Sequence, residues 1–164
     1  MNAKGVICGL TDVPLNERGL EQAERLADAA EGRGIEVILC SPMLRAQQTA
    51  AAVSRRLGLP IITEPLLMEQ DYGEFEGKDR LTEGFLFCKR NLACRCPGGE
   101  SALQVAHRVY SLLDDVAQRY AGKTVLLVCH GGLARVMRTY FIDMTADQFT
   151  AYVMDNCHLE EYTL

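Results

Sequence analysis

The chain has 164 residues and a formal charge of −5, with 17 Lys and Arg against 22 Asp and Glu. That length suits one domain with a real core, and 48% hydrophobic with 24% charged residues is an ordinary balance for a globular chain. The negative balance gives no reason to expect nucleic acid or an anionic membrane surface as partner. No window is apolar and long enough to span a bilayer, and no signal-peptide pattern opens the sequence.

Leu15-Asn16-Glu17 predicts the start of a helix, with Asn16 as N-cap and Glu17 well placed in the first turn. Leu20, Ala23, Leu26, Ala27 and Ala30 recur at helical spacing until Gly32 and Gly34 end the run. Residues 36–40 read as a short apolar strand, buried on both faces if the sheet is parallel. Ser41-Pro42 predicts a second helix reaching about Leu57, broken by Gly58-Leu59-Pro60, and residues 61–63 a second short strand. Residues 64–100 lack a regular pattern and read as an insertion over the sheet, not as a separate domain.

The clearest helix spans 101–120, with Leu103, Ala106, Val109, Leu112, Leu113 and Val116 on one stripe. Residues 124–129 form the strongest strand candidate. His130-Gly131-Gly132 then turns the chain into a helix through Met137 and Tyr140, and 158–162 predicts a last strand. Strands alternating with helices predict an α/β fold, a three-layer α/β/α sandwich around a mostly parallel sheet, as a single domain over residues 1–164.

Seven cysteines (Cys8, Cys40, Cys88, Cys94, Cys96, Cys129 and Cys157) are an odd number, and several sit in apolar strand-like runs. Reduced thiols and a cytoplasmic location are the expectation. Cys94-Arg95-Cys96 with Cys88 raises a zinc site, which needs four ligands, usually in two pairs. His107, His130 and His158 supply no second pair, so no metal is expected.

Two motifs fall at the C-terminal ends of predicted strands, where open α/β sheets place their sites. Cys40-Ser-Pro-Met-Leu-Arg45-Ala-Gln-Gln-Thr49 sets Arg45 in a first helical turn, beside free backbone N–H groups that suit a dianion. Val128-Cys129-His130-Gly131-Gly132 sets a His at a strand-to-helix turn, with two glycines that let a ligand approach the backbone. Between them, Leu67-Met-Glu69-Gln-Asp71-Tyr-Gly73-Glu-Phe-Glu-Gly77 is an acidic loop. A carboxylate there could act as both acid and base if partly desolvated.

These motifs, with the opening Asn2-Ala-Lys-Gly5 … Cys8-Gly9 run and Pro97-Gly-Gly-Glu100-Ser101, resemble the histidine phosphatase superfamily (phosphoglycerate mutase-like proteins) in order along the chain. The resemblance implies that Arg45 binds a phosphoryl group, that His130 and the Gly131 N–H stabilise its charge, and that Glu69 protonates the leaving oxygen and then activates water. It implies phosphate contact by Asn2 and substrate contact by Cys8 and Gly9. No cofactor or metal is implied, and the partner is a small phosphorylated metabolite; phosphatase is favoured over mutase, with alpha-ribazole phosphate as one named substrate.

The family's nucleophile is a His in an Arg-His-Gly run, which the resemblance places ahead of Met1. The expectation is a sheet lacking its first strand and a chain inactive for want of that His. The missing strand is expected between the strands ending at Cys40 and Cys129. The slot would be closed by direct pairing, by a segment such as residues 2–10, or by a second copy in a homodimer, failing which the protein would be poorly stable. Two alternatives stand beside this reading: a non-catalytic phosphate-ester binder, and a cysteine-dependent phosphatase using Cys129 and Arg135 in a C-x-x-G-x-x-R loop.

Overall fold

Strand residues that alternate between two apolar faces sort the chain into layers. The structure, a computed structural model, describes residues 5–164. Its elements run α1 (Glu17–Ala30), β1 (Ile35–Cys40), α2 (Leu44–Leu57), β2 (Ile61–Thr63), α3 (Glu83–Arg90), α4 (Ala102–Arg119), β3 (Thr124–Val128), α5 (Gly131–Phe141) and α6 (Ala146–Ala151). Two 3-10 turns, Pro65–Leu67 and Gly73–Phe75, lie between β2 and α3.

Local chemistry explains the helix starts. Asn16 caps α1 by accepting from the Gly19 N–H, and Ser101 with Gln104 closes a reciprocal capping box on α4. At α2 no side chain caps the first residue in the usual way. Instead Asp12 Oδ1 accepts from the Leu44 N–H at 2.8 Å, and the helix begins three residues after Ser41.

The three strands are parallel in the order β2-β1-β3. Ile38 and Cys40 of β1 and Leu126 and Val128 of β3 face the layer of α1 and α2. Val37, Leu39, Val125 and Leu127 face the opposite layer, built on α4 and α5 with Val105, Val109, Leu112 and Leu133. The sandwich is therefore three-layered around a parallel sheet, with period-2 strands packed between period-3.6 helices.

Of the closures expected for the strand slot the structure adopts direct pairing, and it corrects two other expectations. β1 and β3 pair directly, from Ile35 opposite Thr124 to Cys40 opposite Val128, so no strand slot lies between them. The insertion is more ordered than expected: Glu83–Arg90 forms a helix there, while residues 5–10 bond to its 77–80 stretch through Ile7 N–H to Lys78 O (2.8 Å) and Gly77 N–H to Ile7 O (2.9 Å). Residues 158–162 form no strand, because their backbone finds no ladder partner among the described residues. Side chains fix this tail instead: Tyr162 stacks on Phe141 with centroids 4.3 Å apart, and Glu160 accepts from Arg138 at 3.0 Å.

Leu39 lies at the centre of this packing and is 1% exposed. Leu39→Ala should lower unfolding free energy by roughly 2–5 kcal/mol, read as a shift of the urea midpoint at unchanged m-value.

Candidate active site

The register of β1 with β3 delivers two chain turns side by side. The Ser41 N–H donates to Val128 O at 3.0 Å, and beyond it His130 Nε2 and Ser41 Oγ lie 2.8 Å apart, both residues buried. Gln47 Nε2 donates to Ser41 O at 2.7 Å and fixes the first turn. Burial, with the Arg45 and Arg108 cations nearby, pushes the His130 imidazole down to about 3, so it is neutral at ordinary pH.

Arg45, in the first turn of α2, donates to Gly9 O at 2.8 Å and Thr11 O at 3.0 Å. These bonds use two of its five N–H groups and aim the guanidinium across the strand ends. Its field reaches Cys8, Glu69 and His130 alike. The loop that receives it is shaped by Glu76, whose carboxylate accepts from the Gly9 N–H (2.8 Å), the Leu10 N–H (3.1 Å) and the Thr11 hydroxyl (2.6 Å). Gly9 is required there, since a Cβ would collide with Glu76 Oε1 and Gln70 O.

Glu69 is 6% exposed and sits at the N-terminus of α5. Its carboxylate accepts from the Gly132 N–H at 3.0 Å and the Gln70 N–H at 2.8 Å. Burial raises its carboxyl above the usual range, opposed by those two N–H groups and by Arg45 and Arg135. A Cβ on Gly132 would strike Glu69 Oε1 and the Tyr72 hydroxyl, so this glycine is what admits the acid to the helix end.

Arg108 holds the acidic loop from behind. It pairs with Glu100 at 3.1 Å and donates to Leu66 O (2.6 Å), Met68 O (2.8 Å) and Glu69 O (3.2 Å). Glu100 in turn accepts from the Asp71 N–H at 3.0 Å. Reading the sequence missed Arg108, Glu76, Ser41 and Tyr72 as parts of the site. The signal for Arg108 was a cation in the first half of the long helix, eight residues after Glu100, which a surface charge would match equally well.

The structure thus brings Cys8, Gly9, Arg45, Glu69 and His130 together at the C-terminal ends of β1 and β3. Gly131 opens α5 exposed, with nothing within 4 Å of the place a Cβ would occupy. Asn2 lies outside the described residues. Cys129 and Arg135 do not form a thiolate cradle. Burial, then Glu69, pushes the Cys129 thiol up to about 12, whereas a nucleophilic thiol needs a lowered value. Arg135 lies instead over the Phe149 ring, 5.5 Å from its centroid. Among the described residues no group of three or more His, Cys, Asp or Glu gathers to hold a metal ion, and no helix is long and apolar enough to cross a membrane.

His130 generates a pH dependence of stability. The unfolded imidazole titrates near 6.5 and the folded one near 3, so between those values the unfolded chain holds the extra proton. Stability from this residue is complete above about 6.5 and falls as pH drops toward 3. Glu69 acts oppositely, its contribution fading as pH rises above 4.5, the value it has when unfolded. Urea unfolding of His130→Asn should show a shallower loss than the parent between pH 6.5 and 4; equal slopes would count against a buried neutral imidazole. Arg108→Met should cost roughly 3 kcal/mol at pH 7, because it leaves Glu100 half-buried without its partner.

Three comparisons bear on this geometry. The sequence profile described as Histidine phosphatase superfamily (branch 1) matches residues 1–164. The Yersinia pestis (strain Pestoides F) protein named "Probable phosphoglycerate mutase GpmB" is 31% identical over 165 residues, covering 96% of this chain and 77% of that protein. The mycobacterial glucosyl-3-phosphoglycerate phosphatase in complex with VO3 superposes with a TM-score of 0.85 at 26% identity, covering 95% of this chain and 83% of the other. YhfR of Bacillus stearothermophilus gives a TM-score of 0.84 at 27% identity, over 95% of this chain and 81% of its own. With the profile matching residues 1–164 and a relative 31% identical over 96% of the chain, the chain belongs to the histidine phosphatase superfamily, branch 1.

Proposed function

We propose that this domain takes a small-molecule phosphate ester at the ends of β1 and β3, with Arg45 and His130 on the equatorial oxygens. The observation that carries the reading is Glu69, a buried carboxyl with raised pKa, set against the Gly132 N–H and within the field of Arg45. A carboxyl kept protonated nearer neutrality can give its proton to a leaving alkoxide, then take one from water. Arg45 keeps three N–H groups beyond its two backbone bonds, enough for two phosphoryl oxygens. The cationic side chains and backbone N–H groups neutralise the developing charge, so no metal is called for.

In the superfamily's chemistry a His attacks phosphorus in line, forming a P–N bond as the ester P–O bond breaks, and Glu69 would protonate the departing oxygen. Water then cleaves the P–N bond while Glu69 accepts its proton. That attacking His belongs to an Arg-His-Gly run, which residues 1–164 do not contain. Of the three histidines that are present, His107 and His158 are exposed and His130 is bonded to Ser41. By themselves residues 1–164 therefore bind phosphate esters without turning them over. Hydrolysis is favoured over mutase chemistry for the intact site, because the 64–100 insertion is compact. Phosphatases and a phosphoglycerate mutase both stand among its relatives.

Two measurements test this. Calorimetry of the 164-residue polypeptide should show phosphate or vanadate binding that Arg45→Ala weakens roughly 10- to 100-fold, the worth of one or two charge-assisted hydrogen bonds. An anion bound elsewhere, indifferent to Arg45, would overturn the site. The same polypeptide should show negligible turnover of an aryl phosphate. Ordinary turnover that Cys129→Ser abolishes and His130→Ala spares would transfer the chemistry to the thiol.

A further inference from the structure

Two of the seven cysteines meet in a place the phosphate site does not use. Cys88 projects from α3 and Cys96 lies in the loop before α4, eight residues on. Cys96 is 2% exposed, in a small cluster with Ile7, Tyr72 and Phe75 against which Cys88 and Phe85 pack. Cys88 Sγ lies 3.4 Å from Arg95 O, the carbonyl next to Cys96 in the chain, and the Cys88 sulfur is near enough to Cys96 to raise its thiol. Both line one small cavity with Gln70, Tyr72, Lys89 and Arg135. Another neighbouring pair, Cys40 and Cys129, differs in that burial pushes both thiols up to about 12.

We propose that Cys88 and Cys96 form an oxidation site, a thiol pair that a small hydroperoxide converts into an intramolecular disulfide. Cys88 is half-exposed and on a helix face, so it meets the oxidant first. Its thiolate sulfur attacks the peroxide O–O bond, taking one oxygen to become a sulfenic acid and releasing hydroxide, or alkoxide from an organic peroxide. Cys96, lining the same cavity, then attacks the sulfenic sulfur; the S–O bond breaks and the departing hydroxide leaves as water with the Cys96 proton. Two thiols are oxidised by two electrons and one peroxide is reduced. Burial, then the Cys88 sulfur, holds the Cys96 thiol up at about 12, so Cys96 keeps its proton while Cys88 meets the oxidant and gives it up only as the second step releases water.

The bond would close a short loop and tie α3 to the 91–100 segment. That segment already supports the acidic loop, through Glu74 N–H to Pro97 O (2.9 Å), Glu100 N–H to Asp71 O (2.8 Å) and Gln70 Nε2 to Glu100 O (3.0 Å). Oxidation therefore stiffens the wall next to Glu69, whether or not the phosphate reading holds.

The experiment treats the full chain with stoichiometric hydrogen peroxide, then alkylates it in denaturant before intact-mass and peptide analysis. The expected product is lighter by two hydrogens, keeps five of seven alkylatable thiols, and yields peptides joined through Cys88 and Cys96 that dithiothreitol separates. It should also melt at a higher temperature than the reduced protein. Cys88→Ser should abolish both the link and the rise in Tm, while Cys94→Ser should leave both. Seven alkylatable thiols after treatment, a bridge between Cys40 and Cys129 or to Cys94, or sulfinic acid at Cys88 without a bridge would each overturn the proposal. Cys88 is half-exposed, so its serine variant is expected to fold even if Cys96→Ser does not.

Discussion

Everything at the candidate site depends on one pairing, β1 against β3. Their ladder ends with Cys40 opposite Val128, and Ser41 continues it by one more bond to Val128 O. The two chains then diverge into helices α2 and α5, leaving a crevice at their carboxyl ends. Because side chains alternate along a strand, a one-residue slip would exchange the faces of Ile38 and Leu39, and the two packed layers would both lose their fit. The same slip would separate Ser41 from His130. The cores on either side of the sheet thus set the geometry of the polar groups above it.

The polar groups compete for a small number of backbone N–H donors. Glu69 takes Gly132 at the start of α5, leaving the preceding turn open, while Glu76 takes the Gly9–Thr11 amides. Both acids hold loops in place, yet their settings differ. Glu76 is half-buried and reaches from buried Gly9 to exposed Leu10 and Thr11. Glu69 is enclosed by Tyr72, Gly132 and the acidic loop itself, so its charge is costly and its carboxyl is raised. Arg108 makes this arrangement persist, with one guanidinium gathering three carbonyls and a carboxylate behind the loop. His130 follows the same electrostatic logic from the other side: enclosed among cations, it stays neutral, and a bound dianion would favour its protonation.

Much of the fold was legible in the sequence. Helix stripes such as Val109, Leu112, Leu113 and Val116, the Asn16 cap, and continuous apolar strands depend on contacts within a few residues or on burial of a whole face. These leave periodic marks in the chain. The motif residues Arg45, Glu69 and His130 were legible for a different reason, their positions at strand ends and in a loop that resembles a known superfamily. What the sequence concealed is non-local. The adjacency of β1 and β3, the docking of residues 5–10 on the 77–80 stretch, and the failure of 158–162 to form a strand all depend on which backbone edge finds a partner.

The sequence by itself determined the alternation of elements, the two apolar faces of each strand, and the kinds of groups available for anion chemistry, because each is written in local periodicity and residue type. Only the tertiary structure decided the protonation tendencies of Glu69, His130 and Cys129, since each follows from desolvation and neighbouring charge, not from the residue alone. It also decided that Arg108 and Glu76 support the candidate site and that Cys88 and Cys96 line one cavity. An Arg on a helix, an acid in a loop and two thiols eight residues apart carry no mark of their partners until the chain has folded, because packing chooses those contacts and no local periodicity records them.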